Sequence, residues 1–410
     1  MPKISFRQAR IVLAVAGSAS VTGAARAINR SQTSVTKSIQ DLERELEVEL
    51  FDRSPRGVSL TAYGEAIYRG AHEAARAFEQ ASGLVPPIVA RDSPGVSRFF
   101  QMDVSDKWLD SFLATAEHQN LAAAAHHLNL TPAAVAASLR KLEDSLNTML
   151  FERSPNATIP TSFSASLVQY VKLARSHLRH ACDELAGLKG VKQGRVVVGS
   201  LPLLRTIVLP RAIARLRKDH PYIDISTLEG PYDDLASALR CGDIDLMLGA
   251  LRGPDSGGEL LEETLFDDQL SIIVRAGHPL LGQEGVSLRD VLAHGWIMPR
   301  KGTPTRHLIE SAIVERNLPM PEHIVETSSM VILRGLLMET DYVTPLSRNQ
   351  VFLEEQHGML AALPIDLAET RRPIGLTRRA AGSMPPAAEL LIAELKQVID
   401  EKGLAGGSAV

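Results

Sequence analysis

A cluster of polar side chains lies at the start of one amphipathic helix, within the sequence QTSVTKSIQDLEREL. The apolar residues of this stretch recur at helical spacing and share one face: Val35, Ile39, Leu42 and Leu46. Amide and hydroxyl groups hydrogen-bond to base edges or phosphates, and ammonium groups pair with phosphates. The pattern therefore predicts that the exposed face of this helix binds a nucleic-acid duplex, through Gln32, Thr33, Ser34, Thr36 and Lys37.

Neighbouring elements are predicted to hold this helix and to add cations to it. Ser31 can cap its N-terminus, and a short turn connects it to a preceding helix. The sequence FDRSPRGVSLT predicts a β-hairpin, and Thr61 can cap a long helix over 62–84. Two helices, a turn and a hairpin make a winged helix-turn-helix, which places one helix in the DNA major groove. The flanking cations suit phosphates or a minor groove: Arg30, Arg53 and Arg56.

Several short motifs are spread over residues 5–82: the alanine pair of AARAINR, the pattern S-Q-x-x-V-[ST], and the phrases L-E-x-x-L, L-F-x-R and L-T-x-x-G. Through these motifs, residues 5–82 resemble the N-terminal domain of LysR-type transcriptional regulators. Glu47 stands where the family usually has glycine. The resemblance implies a regulator that binds double-stranded operator DNA, self-associates as a dimer or tetramer, and has RNA polymerase as a further partner.

The same pattern occurs a second time, one hundred residues later. LFDRSP at 50–55 reappears as LFERSP at 150–155, and 14 of the 42 aligned positions between 20–61 and 120–161 are identical. Because identities at apolar helical spacing preserve a core, each stretch is predicted to be one packed unit. We call residues 1–84 the first copy and residues 105–189 the second copy, joined by a linker over 85–104.

The second copy is predicted to keep the fold and lose the DNA surface. Gln32, Ser34, Thr36 and Lys37 correspond to four residues without hydrogen-bonding side chains: Pro132, Ala134, Ala136 and Ala137. Lysine and arginine number six over 26–56 and three over 126–156. Losing several phosphate partners lowers DNA affinity by orders of magnitude at physiological salt. Pro132 still suits the first position of a helix.

Two arrangements of the copies remain open from the sequence. In one, the long helices 62–84 and 162–188 pack together as a pseudo-dimer within one chain; in the other, the second copy is a spacer. The twenty residues of the linker could extend to roughly 60 Å, beyond the ~34 Å between adjacent half-sites. The reach of the linker therefore excludes neither arrangement.

Composition favours a cytoplasmic protein without a membrane segment. The chain of 410 residues is 45% hydrophobic and 22% charged, with a formal charge of −4, and it begins without an apolar signal sequence. Two cysteines, Cys182 and Cys241, indicate no disulfide framework. Neither the adjacent pair His126-His127 nor the group His177, His180 and Cys182 forms a metal-ligand pattern, so we expect a solvated helix surface there, no metal and no cofactor.

After residue 190 the sequence alternates strands and helices, which predicts an α/β domain with ligand sites at strand carboxyl ends. Residues 190–402 resemble the LysR-type effector-binding domain, itself similar to type II periplasmic solute-binding proteins; the phrases LPRAIARL, LRCGDIDLMLG and TSSMVILRGL carry this match. The resemblance implies two lobes, one of residues 190–270 with 352–402 and one of residues 271–351, and the chain crosses between them near 268–275 and 345–352.

The tail 403–410 is predicted to be disordered. The predicted fold class is multi-domain: two all-α winged helix-turn-helix modules followed by a two-lobed, periplasmic-binding-protein-like α/β domain.

Candidate effector-binding residues lie where strands end and helices begin. N–H groups and hydroxyls at helix N-termini suit a carboxylate or a polyol, and arginine pairs with carboxylates. Arg205 and Arg300 are further candidates for an anion, and plain surface charge is the alternative for each arginine. The predicted set is Ser200, Leu201, Pro202, Gly230, Tyr232, Arg252, Thr303, Thr305, Ser328 and Ser329.

Three classes of function compete. The leading hypothesis is a ligand-responsive transcriptional regulator whose first copy binds operator DNA and whose C-terminal domain binds a sugar or an aromatic or organic acid. A solute-binding protein is opposed by the DNA-binding pattern at the N-terminus. An α/β enzyme is opposed by the lack of G-x-S-x-G, P-loop, H-E-x-x-H and paired-carboxylate patterns. The sequence therefore favours a regulator and no catalytic residues.

Overall fold

A computed structural model describes residues 3–54, 57–82, 104–153, 157–190, 193–253 and 257–404. The predicted linker and most of the predicted C-terminal tail lie outside these residues. Within the described ranges, no helix combines the length and the apolar character needed to span a bilayer.

The first copy consists of three helices, a hairpin and a long helix. Its elements are α1 (Phe6–Ser18), α2 (Val21–Ala27), α3 (Gln32–Leu46), β1 (Phe51–Ser54), β2 (Gly57–Leu60) and α4 (Ala62–Ser82). The Ser31 hydroxyl accepts a hydrogen bond from the Ser34 backbone N–H at 3.2 Å, so the predicted cap of α3 is confirmed. Glu47 ends α3 with a φ of 54°, in the left-handed conformation that glycine adopts most readily.

The second copy has the same elements in the same order. They are α5 (Asp106–His118), α6 (Leu121–His127), α7 (Pro132–Leu146), β3 (Phe151–Arg153), β4 (Thr158–Pro160) and α8 (Ser162–Leu188). Equivalent positions make equivalent bonds: the Glu43 carboxylate accepts from the Leu50 N–H at 2.8 Å, and Glu143 accepts from Leu150 at 2.9 Å. The residues identical in both copies thus include the glutamate whose carboxylate bonds to the backbone just before the hairpin.

The two copies pack together through their long helices. Gly70 of α4 lies against Ala181 of α8, where an added Cβ would be 2.4 Å from the Ala181 Cβ. One apolar core runs through both copies and contains Phe78 from the first and Leu178 from the second. Of the two arrangements left open by the sequence, the structure contains the pseudo-dimer.

The C-terminal domain is built from two sheets and a short strand pair. Its strands are β5 (Gly194–Ser200), β6 (Ile223–Glu229), β7 (Leu246–Ala250), β8 (Leu260–Asp268), β9 (Ser271–Arg275), β10 (Trp296–Met298), β11 (Ile324–Glu326), β12 (Thr344–Leu346), β13 (Leu360–Ala362) and β14 (Arg372–Arg379). Its α-helices are α9 (Val208–Asp219), α10 (Tyr232–Cys241), α11 (Leu288–Val291), α12 (Pro304–Glu315), α13 (Met330–Glu339), α14 (Phe352–Gln356) and α15 (Pro386–Glu401).

The strands divide into two lobes. Lobe 1 contains the five-stranded sheet β6-β5-β7-β14-β8, in which β5 pairs in parallel with β6 and β7, and β14 runs antiparallel to β7 and β8. Lobe 2 contains the three-stranded sheet β12-β9-β13 and the parallel pair β10-β11. Lobe 1 is covered by α9 and α15, whose apolar faces join its core.

The chain returns from lobe 2 later than the sequence indicated. The first crossing, from β8 to β9, lies within the predicted range. The predicted second crossing near 345–352 is wrong, because β13 pairs with β9 and Val351 packs in the core of lobe 2. Leu363 and Leu367 also belong to that core. Lobe 2 therefore extends to about residue 371, and β14 returns the chain to lobe 1.

Candidate functional sites

The polar residues at the start of α3 lie on its outer surface. Val35 and Ile39 are buried beneath the helix, while Gln32, Thr33 and Lys37 are exposed. Ser34 and Thr36 are partly exposed on the same turns. The apolar face thus fixes the helix on the core, and its N-terminal turns present amide, hydroxyl and ammonium groups outward.

A shallow concavity lies between α2 and the start of α3. The residues that line it include Arg26, Asn29, Arg30 and Ser31. The structure thereby places Arg30 and Ser31, two predicted contacts, beside the capped helix end. Arg26 was not among the predicted contacts; its position in the last turn of α2, before the Asn29-Arg30 turn, is the signal that identifies it. Cations grouped at a helix N-terminus favour an anion there.

The hairpin beside α3 has the register expected of a wing. Phe51 pairs with Leu60 and Ser54 pairs with Gly57, and the Val58 N–H donates to the Ala19 carbonyl at 3.1 Å. The backbone of Arg53 lies in β1, but its side chain and the whole of Arg56 lie outside the described residues. The predicted DNA contacts of these two residues therefore stay predictions.

The equivalent helix of the second copy has the same backbone and a different surface. Thr131 caps α7 through a bond from the Ala134 N–H at 3.2 Å, as Ser31 caps α3. Pro132 and Ala137 are exposed where α3 exposes Gln32 and Lys37. This surface offers methyl and methylene groups and no side-chain hydrogen bond at those positions.

In lobe 1, the predicted effector residues share one edge of the sheet. Ser200 ends β5, and Gly230 and Arg252 follow β6 and β7; because these strands are parallel neighbours, their carboxyl ends meet. Ser200 is buried, and its hydroxyl donates to the Leu201 carbonyl at 3.3 Å. Pro202 opens a short 3-10 helix at this edge.

Arginines at this edge are already engaged. The Arg252 guanidinium lies 4.0 Å from the centroid of the Tyr232 ring, which joins two predicted residues in a cation–π contact. Arg205 donates to the Ser200 carbonyl at 2.9 Å and pairs with Glu229 at 3.0 Å. Arg205 therefore holds the loop in place, and Arg252 stays the exposed arginine of the predicted set.

In lobe 2, the predicted residues follow the parallel strands β10 and β11. The Thr303 hydroxyl donates to the Arg300 carbonyl at 2.8 Å, within a local turn. Ser329 caps α13 through the Ile332 N–H at 3.4 Å, whereas Ser328 is exposed and does not cap it. Of these two predicted effector residues, Ser329 therefore holds the helix end with its side chain, and Ser328 presents its side chain to solvent.

A polar cluster lies where the lobes meet, and Thr305 is its one member that was predicted from the sequence. The Asp268 carboxylate accepts hydrogen bonds from Ser347 at 2.5 Å and Asn349 at 3.2 Å, with the Arg372 guanidinium 3.7 Å away. Arg372 also donates to the Thr305 hydroxyl at 2.7 Å, so it links β14 of lobe 1 to the start of α12 in lobe 2. Burial raises the pKa of the Asp268 carboxyl. We call these five residues the hinge cluster.

The long helix α8 docks on the C-terminal domain through a second buried cluster. His180 Nε2 lies 2.8 Å from Asp245 Oδ1, and both side chains are almost fully buried. The other Asp245 oxygen accepts from the Val197 N–H at 2.8 Å. Burial lowers the pKa of His177 to about 3. The expectation of a solvated surface is wrong for His177, His180 and Cys182, because this half of α8 is covered.

Family models match both parts of the chain. The model described as the LysR substrate binding domain matches residues 189–400. The model described as the bacterial regulatory helix-turn-helix protein of the lysR family matches residues 6–65 and, separately, residues 107–164. The matched ranges coincide with the C-terminal domain and with the helices and hairpin of each copy.

Two curated relatives differ in how much of the chain they align with. The HTH-type transcriptional regulator GalR of Pseudomonas putida is 34% identical over 398 residues, which are 97% of this chain and 98% of GalR. That alignment must include both copies. The HTH-type transcriptional regulator PcaQ of Agrobacterium fabrum is 27% identical over 294 residues, which are 72% of this chain and 94% of PcaQ, a shorter protein.

Solved structures share the fold at low sequence identity. A full-length OxyR variant from Pseudomonas aeruginosa matches with a TM-score of 0.53 and 20% identity, over 72% of this chain and 95% of that one. Full-length CbnR in complex with its target DNA matches with a TM-score of 0.51 and 18% identity, over 71% and 98%. The matching models and the 34% identical relative establish that the chain belongs to the LysR family of ligand-responsive, DNA-binding transcriptional regulators.

Proposed function

We propose that the first copy recognises operator DNA through α3 and that the second copy is a winged helix-turn-helix that has lost base recognition. The observation that carries this proposal is the contrast between two helices with the same caps. The outer surface of α3 presents hydrogen-bonding and cationic groups, and that of α7 presents alanine and proline at the equivalent positions. Base contacts come from Gln32, Thr33, Ser34 and Thr36, and phosphate contacts come from Arg30, Ser31, Lys37, Arg53 and Arg56.

The C-terminal domain is proposed to bind its effector between the lobes, as type II periplasmic-binding-protein-like domains do. Support comes from the convergence of strand ends: Ser200, Leu201, Pro202, Gly230, Tyr232 and Arg252 follow strands of lobe 1, and Thr303, Thr305, Ser328 and Ser329 follow strands of lobe 2. Hydroxyls, helix N-termini and an arginine suit a sugar or an aromatic or organic acid.

Effector binding is proposed to act by shifting an equilibrium between assemblies that differ in the spacing or bending of bound DNA. Arg372 couples the lobes through Thr305, so a ligand that changes the angle between the lobes must rearrange the hinge cluster. Self-association into dimers or tetramers, contact with RNA polymerase and a cytoplasmic location on DNA complete the proposal.

Binding of the full chain to duplexes from upstream of its own gene tests the DNA-binding proposal. We expect a sequence-preferring complex whose affinity falls steeply between 50 and 200 mM salt, as several phosphate contacts require. An unrelated duplex of the same length is the control. Equal affinity for both duplexes, or no binding at low salt, would contradict the proposal.

Thermal unfolding of the full chain with sugars and with aromatic acids tests the effector proposal. A ligand at one hundred times its Kd stabilises by roughly 2.7 kcal/mol. We expect Arg252→Ala to weaken the response to acids and to leave the response to neutral sugars unchanged. If the variant responds to both classes as the parent does, Arg252 does not contact the effector.

A further inference from the structure

The long helices of the two copies run antiparallel. Gly70, near the start of α4, contacts Ala181, near the end of α8. Further along α4, Ala77 and Gln80 line a shared cavity with Gln169 and Leu173, near the start of α8. Residue numbers thus rise along one helix as they fall along its neighbour. Two similar units joined in this way can be related by a two-fold axis perpendicular to both helices.

A direct contact between equivalent positions locates that axis. The Asp106 carboxyl at the start of α5 lies beside the backbone N–H of Phe6 at the start of α1, and this N–H lowers the pKa of the carboxyl against the larger rise that burial causes. Positions 6 and 106 correspond in the two copies. In a two-fold interface, residue i contacts j and j contacts i, so equivalent residues meet each other only at the axis. The copies therefore form an isologous pair within one chain.

The two-fold relation decides where α3 and α7 lie. Rotation about an axis preserves height along it, so both helices stand on the same face of the α4–α8 pair at the same level. A duplex laid across that face against α3 passes α7 as well. Adjacent half-sites on DNA are about one helical turn apart, roughly 34 Å.

The two helices offer this duplex different chemistry. Where α3 exposes Gln32 and Lys37, α7 exposes Pro132 and Ala137. One turn further on, α7 exposes Arg140 and Lys141 at the positions of Gln40 and Asp41. Cations contact phosphates regardless of sequence, whereas base edges require hydrogen-bonding groups at the helix start.

We propose that each chain recognises an asymmetric site on DNA, in which α3 specifies the sequence of one half and the second copy covers the adjacent half without specifying it. This inference rests on the proposed function of the first copy. The second copy takes the place that a second molecule occupies in a symmetric dimer, so one chain protects two half-sites.

Selection of bound duplexes from a random library by the full chain tests this inference, with a footprint of the selected duplex. We expect one enriched half-site, in which base changes weaken binding about tenfold or more, beside a protected half of equal length in which they weaken it less than about threefold. The gain-of-function variant restores the first copy's residues in α7: Pro132→Gln, Ala134→Ser, Ala136→Thr and Ala137→Lys. It should enrich an inverted repeat of that half-site one helical turn apart.

Several outcomes separate this inference from the proposed function. An inverted repeat at one-turn spacing enriched by the parent chain would overturn the asymmetry and keep DNA recognition. The asymmetry would also be overturned if the four-residue variant melted at the parent's temperature and enriched the same motif as the parent chain. Absence of any enriched sequence would instead overturn the proposed function, and this inference with it. The reverse variant, which places Pro, Ala, Ala and Ala at 32, 34, 36 and 37, should lose all enrichment while melting as the parent does.

Discussion

The first and second copies share a fold and differ in surface chemistry. The residues that shape each copy are retained: small alanines between helices, capping hydroxyls, a glutamate that closes a corner, and asparagines at positive φ. Most of the residues that could contact DNA in the first copy are replaced in the second, although Arg153 matches Arg53. Buried and capping residues therefore keep the fold in both copies, while the exposed side chains on an unchanged backbone differ between them.

The largest expected effect is the loss of stability when the buried contact between α8 and the C-terminal domain is removed, a contact that α4 lacks at the equivalent position. His180 of α8 pairs with Asp245 of the C-terminal domain, whereas the equivalent Gln80 of α4 is exposed. Asp245→Ala should lower the free energy of unfolding by about 3–5 kcal/mol, because it leaves a buried histidine unpaired. Asp243→Ala, which breaks a surface pair with Lys172 at 2.8 Å, should cost at most about 1 kcal/mol. Denaturant titration of both variants measures the difference; equal losses would show that the buried pair does not hold the domains together.

The contact between the copies is tested by paired glycine substitutions. Gly70→Ala should destabilise the chain by roughly 1–3 kcal/mol, because its Cβ would meet Ala181 and the His177 carbonyl at 2.4 and 2.9 Å. Gly17→Ala, on α1 with no atom within 4 Å of its added Cβ, should stabilise by about 0.5–1 kcal/mol. Thermal melts of both variants report this. A neutral Gly70→Ala would mean that α4 and α8 do not pack closely in solution.

Base recognition is tested at equivalent positions of the copies. Gln32→Ala should weaken binding by about 1–3 kcal/mol at one base position and relax the preference there, because a bidentate contact is lost. Pro132→Ala should leave both affinity and preference unchanged. Binding of both variants to a set of single-base operator variants provides the measurement. Uniform weakening across that set would remove Gln32 from base recognition.

The smallest expected effect is a change in salt dependence. Lys37→Ala should weaken binding to all sequences alike and reduce the slope of log affinity against log salt by about one, since one phosphate contact is lost. Lys107→Ala, at an exposed position of the second copy outside α7, should leave that slope unchanged. Titration of duplex binding from 50 to 200 mM salt distinguishes them. A slope unaffected by Lys37→Ala would place its ammonium away from the phosphates.

Local patterns predicted the parts of the fold that depend on near neighbours. Helix caps at Ser31 and Thr61, the hairpin after Phe51 and the alternation of strands and helices after residue 190 all follow from spacing over a few residues. The positive φ of Glu47, which stands where the family usually has glycine, was not predicted from the sequence.

Contacts between distant positions could not be predicted in the same way. His180 is buried because Asp245, on another domain, faces it, and no spacing along α8 reveals that partner. The second lobe crossing was misplaced because β13 pairs with β9, far earlier in the chain. The hinge cluster likewise joins Asp268 to Arg372 across the whole of lobe 2. The edges of the candidate cleft were predicted from the sequence, whereas the residues that connect its lobes, apart from Thr305, were not.

A structure of the full chain bound to an operator duplex tests the central claim most directly. We expect Gln32, Ser34 and Thr36 within hydrogen-bonding distance of base edges, with α7 facing the neighbouring turn of the duplex through phosphate contacts alone. Residues 132–137 seated against base edges, with residues 32–37 turned to solvent, would contradict it.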